Sequence, residues 1–245
     1  MRRTFRHCPS LLGAAFLLFA SLGARPAQAQ TTIGTEAHWD GSTHVAPWGE
    51  PRLATFGQTF TVGPDNVLDS FRFSLRSKTG VAQAFTAYVM AWNGARAAGS
   101  VLWSSGTQTA QPDTEAFDAY AFAPGITLQS GEQYVAFFSA SGHFDGSESQ
   151  FDWGYVGSDA YAGGSFVALD SGNDFGLLTT TGWLVDPLGP GDLAFQMSFS
   201  PSLRGGADAV PEPASLALML PALGVIPLLR RRRGAPVPEG PPPHR

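Results

Sequence analysis

Two short stretches of this 245-residue chain concentrate side chains that carry oxygen. One runs from Asp145 through Glu148 to Asp152 (DGSESQFD), and the other from Asp170 to Asp174 (DSGND). Because calcium takes roughly six to eight oxygen ligands on flexible backbone, these five carboxylates are candidate calcium ligands. Neither stretch has EF-hand spacing, however, and Asp, Ser, Gly and Asn are also ordinary turn formers. A calcium site and two plain turns therefore both remain open.

Aromatic residues close to these stretches could bind sugars. Trp153, Tyr155 and Tyr161 each offer a flat apolar face beside a polar edge, which suits stacking on a sugar ring if the side chains are exposed. Trp92 and Trp103 fall within strand-like patterns, so we expect them in the core. Trp153, Tyr155 and Tyr161 are thus candidates for stacking on a sugar, and core packing of the aromatic residues is the competing interpretation.

Patterns that indicate catalysis are scarce. His38, His44 and His143 are the only histidines between residues 30 and 205. The sequence contains no G-x-S-x-G elbow, H-E-x-x-H pair or phosphate-binding glycine loop. Glu148 and Asp152 could act as the two carboxylates of a glycoside hydrolase, but carboxylates in turns are commonly only solvated. We therefore expect a protein that is not an enzyme.

Alternating patterns predict the elements that must position these side chains. Ser70 to Arg76 (SFRFSLR) and Asp192 to Ser200 (DLAFQMSFS) alternate apolar with polar residues, as strands with one solvated face do. Glycine-, proline- and asparagine-rich turns separate the strand candidates. The further candidates are Ala54–Val62, Ala84–Trp92, Val101–Ser105, Ala116–Ala123, Gln133–Ser139, Phe151–Val156 and Ser165–Leu169. This pattern predicts an all-β domain over residues 30–206, an antiparallel β-sandwich or jelly roll.

The predicted domain is acidic and free of cysteine. Residues 30–205 hold six Lys and Arg against 17 Asp and Glu, a net charge of −11, whereas the whole chain carries −5. Phosphates would repel such a body, which argues against binding to nucleic acid. The single cysteine, Cys8, lies before the domain, so disulfides, thiol nucleophiles and cysteine–zinc sites are excluded within it.

Residues 1–29 have the three parts of a secretory signal peptide. A basic start containing Arg2 and Arg3 precedes the apolar run from Leu11 to Leu22, which is too short for a stable membrane span. Ala27 and Ala29 form an A-x-A site, so we expect cleavage before Gln30. The Arg2-Arg3-Thr4-Phe5 start resembles the twin-arginine export pattern, with an ordinary basic start as the alternative.

A second apolar segment lies near the other end of the chain. Ala214 to Leu229 would span about 24 Å as a helix, against a membrane core of about 30 Å, and proline and glycine interrupt it. It is marginal as a permanent anchor but adequate as a transient stop. Arg230 to Arg233 would hold its end in the cytoplasm. We divide this region into a linker (207–213), the apolar segment with its arginines (214–233) and a proline-rich tail predicted to be disordered (234–245).

A Pro-Glu-Pro triplet precedes the apolar segment, and four arginines follow it. The residues concerned are Val210, Pro211, Glu212, Pro213, Arg230, Arg231, Arg232 and Arg233. Together with the apolar segment between them, they resemble the PEP-CTERM sorting signal of Gram-negative bacteria. The resemblance implies that an exosortase, a membrane-embedded cysteine protease, recognises the triplet while the inner membrane holds the chain transiently. It also implies a final location at the cell surface or outside the cell, with extracellular polysaccharide and biofilm. The alternative is a plain C-terminal membrane anchor.

The body itself resembles exported bacterial β-sandwich domains that often carry this tail. The stretches in question are FGQTFT (56–61), AWNG (91–94), LQSGEQYV (128–135) and DLAF (192–195). This second resemblance supports the fold and implies no activity. The sequence thus predicts an exported, non-enzymatic surface or matrix protein. The alternatives are a carbohydrate-binding module, with or without calcium, and a glycan-active hydrolase.

Overall fold

The computed structural model describes residues 30–51 and 53–202. The predicted signal peptide (1–29), linker (207–213), sorting segment (214–233) and tail (234–245) lie outside these residues. Within the described part, no helix has both the length and the apolar character that crossing a membrane requires.

Almost every regular element of the described residues is a strand. The strands are β1 (Thr31–Gly34), β2 (His44–Gly49), β3 (Thr55–Thr61), β4 (Val67–Ser77), β5 (Gln83–Trp92), β6 (Ala97–Ala110), β7 (Asp118–Phe122), β8 (Ile126–Thr127), β9 (Gln133–Ser139), β10 (Gln150–Val156), β11 (Phe166–Leu169), β12 (Leu184–Val185), β13 (Asp192–Leu193) and β14 (Phe195–Ser200). A 3₁₀ turn at Glu36–His38 and a one-turn helix, α1 (Leu177–Thr180), complete the set.

The strands form two antiparallel sheets. In sheet I, β4 is central: β14 and β10 pair end to end along one of its edges, and β7 and β8 along the other. β1 and β2 pair with the far sides of β14 and β10. Sheet II has the order β12-β11-β3-β9-β5-β6. The predicted all-β, antiparallel sandwich is therefore confirmed.

All nine predicted strands are present, with shifts of a few residues at their ends. The candidate at 192–200 divides into β13 and β14, and the candidate at 101–105 is part of the longer β6. The short strands β1, β2, β8 and β12 were not predicted. In β2 the sequence HVAPWG contains a proline, which is unfavourable in a strand interior and conceals the pattern.

An aromatic core fills the space between the sheets. Trp153 of sheet I lies at its centre, with ring centroids 5.0 Å from Phe138 and 5.7 Å from Phe56, both of sheet II. Alternate residues of a strand share one face, and Phe73 and Leu75 of β4 therefore both point into the core. Such aromatic pairs add stability beyond the area they bury.

The outer faces of both sheets are partly covered as well. On sheet II, the segment 170–186 packs Leu178 and Trp183 against a second apolar cluster that includes Trp92 and Phe137. On sheet I, the loop between β1 and β2 places Trp39 over Gly154. These covers explain why β9 and β10 are buried on both faces, while β4 and β14 alternate.

Candidate binding site

The outer face of sheet I brings charged side chains together at the centre of the sheet. Because β4 points Phe73 and Leu75 into the core, Arg72 and Arg76 must point outward. The antiparallel register places Asp152 of β10 directly opposite Arg76. Strand alternation and register alone therefore create a cation–carboxylate pair on this face.

The loop between β1 and β2 adds a tryptophan to the same face. The Trp39 ring lies so close to Gly154 that a Cβ there would be 2.8 Å from Trp39 Cζ2, so this contact requires glycine. Trp39 Nε1 donates a hydrogen bond to the Thr43 carbonyl oxygen at 2.6 Å. Asp40 accepts hydrogen bonds from both the backbone and the side chains of Ser42 and Thr43. These bonds fix the loop and hold the pKa of Asp40 far below its usual value.

We call the group Trp39, His44, Arg76, Phe117 and Asp152 the outer-face site. Phe117 meets Trp39 edge to face, with ring centroids 5.1 Å apart and planes at 89°. Arg76 Cζ lies 4.6 Å from the centroid of the Phe117 ring, a cation–π distance. Both aromatic side chains remain partly exposed.

Asp152 forms the buried floor of the outer-face site, with a side chain that is only 7% exposed. Its Oδ2 accepts a hydrogen bond from Arg76 Nη2 at 2.8 Å, and His44 Nε2 lies 3.6 Å from the same oxygen. Its Oδ1 has no hydrogen-bond partner among residues 30–51 and 53–202. His44 Nδ1 lies 3.0 Å from the Ser42 carbonyl oxygen, which can only accept, so Nδ1 carries a proton.

A second ion pair lies further along the same face. Arg72 Nε donates to Glu36 Oε1 at 2.9 Å, and Arg72 Nη2 also contacts Glu36 Oε2. Beside this pair is a cavity of about 300 Å³, whose lining includes Gln196 and Phe195. Arg72 and Arg76 are four residues apart on β4, so the cavity and the outer-face site lie about 13 Å apart along one strand.

The five predicted calcium ligands are not gathered into one site. Asp145, Glu148, Asp170 and Asp174 are exposed, whereas Asp152 is buried against Arg76. Asp145 Oδ1 accepts the Ser147 amide and Asp174 Oδ1 the Gly176 amide, as turn-forming aspartates do. Across residues 30–51 and 53–202, no three His, Cys, Asp or Glu side chains are placed to share a metal ion. The turn interpretation accounts for the geometry of the two loops.

The predicted exposure of Trp153 and Tyr155 is wrong. Both are buried, at 0% and 6% exposure, because the inward face of β10 packs against sheet II. Tyr161 is partly buried: it packs on Phe195, and the Asp192 carboxylate accepts its backbone N–H. In the described conformation, Trp153 and Tyr155 cannot stack on a sugar.

The sorting and cleavage residues lie outside the described residues. These are Ala27 and Ala29 at the signal-peptide end, and Val210 to Pro213 with Arg230 to Arg233 in the sorting segment. Their predicted roles stay predictions.

The sequence around Trp39 contains a local signal for exposure. Trp39 sits in the stretch HWDGSTH, where Asp40, Gly41 and Ser42 are turn formers and no alternation is present. A tryptophan in a turn-forming stretch is a better candidate for partial exposure than one in a strand. No comparable local signal places Phe117 beside it, because that contact joins residues far apart in sequence.

Comparison with known proteins leaves the family open. No family model matches the chain, and no curated protein matches it either. The chain is similar to a solved structure of the clostridial cysteine protease Cwp84 after propeptide cleavage, with a TM-score of 0.44 and 11% identity over 71% of this chain and 40% of that one. A structure of the cysteine protease and lectin-like domains of Cwp84, a surface layer associated protein of Clostridium difficile, gives a TM-score of 0.39 and 10% identity over 62% of this chain and 33% of that one. This chain thus spans well under half the length of either structure, and likeness at this level carries no argument about function.

Proposed function

We propose that this chain is an exported, non-enzymatic protein of the cell surface or extracellular matrix, delivered by its C-terminal sorting signal. The observation that carries the proposal is the pair of terminal segments around one acidic, cysteine-free body. The A-x-A site at Ala27–Ala29 would release the N-terminus, and an exosortase would recognise Pro211-Glu212-Pro213 while the inner membrane holds the chain transiently.

The polar groups of sheet I support a binding role rather than catalysis. A general acid or base must face the proton that it transfers in a bound substrate. The two carboxylates beside the arginines of β4 instead face cations of the same protein, Asp152 with Arg76 and Glu36 with Arg72. Paired in this way, these groups present fixed hydrogen-bonding partners to a ligand.

The proposal is tested by the intact mass of the exported protein. We expect an N-terminus at Gln30 and loss of the segment that follows the Pro-Glu-Pro triplet. Glu212→Ala should block the C-terminal cleavage. Glu239→Ala provides a matched control, because Glu239 follows a second Val-Pro pair in the tail and should leave processing unchanged. Export with both termini retained would contradict the proposal and favour a plain anchor.

Carbohydrate binding is a second candidate, and the outer-face site favours it. Partly exposed Trp39 and Phe117 lie beside the hydrogen-bonding groups of Arg76 and Asp152, the combination that sugars require. Binding of the purified full chain to the extracellular polysaccharide of its source, with and without calcium, tests this candidate. Saturable binding that a chelator weakens would support a calcium-assisted module. Release of new reducing ends would favour a hydrolase instead.

A further inference from the structure

The aromatic side chains of the outer-face site are fixed before any ligand arrives. Trp39 is held by the contact with Gly154, by the turn around Asp40 and by the hydrogen bond from its indole N–H to Thr43. Since the N–H is already used, Trp39 offers a ligand its apolar ring surface. Fixed aromatics lose little conformational entropy on binding, which favours recognition of a flat apolar face.

The floor of the outer-face site lacks one hydrogen-bond donor. Asp152 Oδ1 is buried and has no partner in the part of the chain that the structure describes, although its neighbours Arg76 and His44 are 27% and 41% exposed at their side chains. Arg76 has five N–H donors and gives Asp152 only one hydrogen bond. A ligand hydroxyl can accept from the remaining N–H groups of Arg76, and it can also donate to the buried Asp152 Oδ1 once the partly exposed Arg76 or His44 side chain moves aside. Hydroxyl groups, which donate and accept together, fit this arrangement better than purely accepting groups do.

The charges around the outer-face site favour a neutral ligand. Arg76 is neutralised by Asp152, and Arg72 by Glu36, so neither cation is free to bind an anion. The surrounding body carries −11 over residues 30–205 and would repel a polyanion.

The length of the face favours a polymer over a single sugar. The cavity beside Arg72 and the aromatics beside Arg76 lie on one side of β4, about 13 Å apart. A ligand that contacts both must extend along the strand.

From this geometry we propose that the outer-face site binds a neutral polysaccharide chain that runs along β4. Trp39 and Phe117 contact the sugar rings, Arg76 and Asp152 bind their hydroxyl groups, and the cavity beside Arg72 holds a neighbouring unit. This inference rests on the carbohydrate-binding candidate and adds its ligand class and its residues.

Affinity measurements on the full chain test the proposal. The probes are a soluble neutral glucan, a mannan and a galactan, with alginate as the charged control and glucose as the monomer. We expect at least one neutral polymer to bind and alginate to bind more weakly. Trp39→Ala should weaken binding about three- to tenfold, which is the effect of one aromatic contact. Leu188→Ala, which removes an apolar side chain that is 64% exposed on the turn after β12, should change affinity less than twofold.

A second variant and a folding measurement distinguish weaker binding from loss of the folded structure. Phe117→Ala should weaken the same interaction, and circular dichroism should show both variants folded. In the unmodified chain, titration with the bound polymer should shift the indole N–H resonance of Trp39 more than that of Trp183, which is buried on sheet II. Failure of all three neutral polymers to bind, stronger binding of alginate, or full affinity in Trp39→Ala would each overturn the proposal. None of these results would change the intact mass of the exported protein, so the proposal about export is tested independently of this one.

Discussion

At the scale of single residues, two core tryptophans differ in how their indole N–H groups are satisfied. Trp48 Nε1 donates to the Ala54 carbonyl oxygen at 3.0 Å, whereas Trp153 Nε1 has no hydrogen-bond partner among the described residues. Replacing either by phenylalanine removes ring volume, but only Trp48→Phe also removes a hydrogen bond. The Ala54 carbonyl oxygen then keeps its second donor, the Ala140 N–H at 2.8 Å. We expect Trp48→Phe to lower the free energy of unfolding by about 0.5–1.5 kcal/mol more than Trp153→Phe, which is the net contribution of one hydrogen bond. Urea unfolding followed by circular dichroism measures both, and the opposite order would contradict this assignment.

Asp40 controls the loop that carries Trp39. Its hydrogen bonds to Thr43 and Ser42 lower its pKa below the usual 3.8, so its stabilising effect is present above that pH and is lost as the pH falls toward the lowered pKa. We expect the indole N–H resonance of Trp39 to move as the pH drops below 3.8. In Asp40→Asn, which keeps an acceptor oxygen but cannot titrate, this movement should be absent. An identical acid response in the variant would show that another group controls the loop.

At the scale of elements, the contact between the β1–β2 loop and β10 depends on one glycine. A Cβ at Gly154 would lie 2.8 Å from Trp39 Cζ2 and 2.9 Å from Ala194 Cβ. We therefore expect Gly154→Ala to displace Trp39 and to lower the free energy of unfolding by about 1–3 kcal/mol, as overpacking does. Thermal unfolding measures the loss. Gly182→Ala is the matched control, because a Cβ at Gly182 meets open space and the φ of Gly182 is not positive, so we expect almost no change in the free energy of unfolding. Gly94→Ala would be a poorer control because Gly94 has a positive φ.

The segment over sheet II is held by a different tryptophan. Trp183 packs against Trp92 and Phe137 and donates its indole N–H to the Leu178 carbonyl oxygen at 2.9 Å. Trp183→Ala should cost about 3–5 kcal/mol of unfolding free energy because it empties this cluster. Its neighbour Leu184 is 54% exposed, so Leu184→Ala should change stability by no more than about 0.5 kcal/mol. If chemical unfolding showed that both variants lower the free energy of unfolding equally, the segment 170–186 would not pack on sheet II.

The strands themselves were the most predictable elements. Alternation in Ser70–Arg76 gave both the strand and its faces, and Phe71, Phe73 and Leu75 are indeed buried. The short strands β1 and β2 were not predictable, because four to six residues with glycine or proline leave no readable pattern. The jelly-roll connectivity stays a prediction beyond the confirmed sandwich.

At the scale of the whole molecule, the acidic charge of the body opposes compaction. Six basic against 17 acidic side chains over residues 30–205 repel one another, and salt screens this repulsion. We expect the midpoint of thermal unfolding to rise when sodium chloride increases from about 0.01 M to about 0.15 M. A double variant, Glu115→Gln with Glu148→Gln, removes two exposed charges and should show a smaller rise. A midpoint that falls with salt would mean that the ion pairs of Arg72 and Arg76 outweigh the net repulsion.

The sequence by itself determined the longer strands, the inward side chains of β4 and β14, the acidic charge and the absence of cysteine from the body. The strands and their inward faces depend on alternation between neighbouring residues. The charge and the absence of cysteine depend on composition alone. The tertiary structure alone decided that Trp153 is buried, and that Trp39, Phe117, Arg76 and Asp152 share one face. Those outcomes depend on sheet register and on a loop that crosses a strand more than a hundred residues away in sequence, and alternation within one strand carries no information about either.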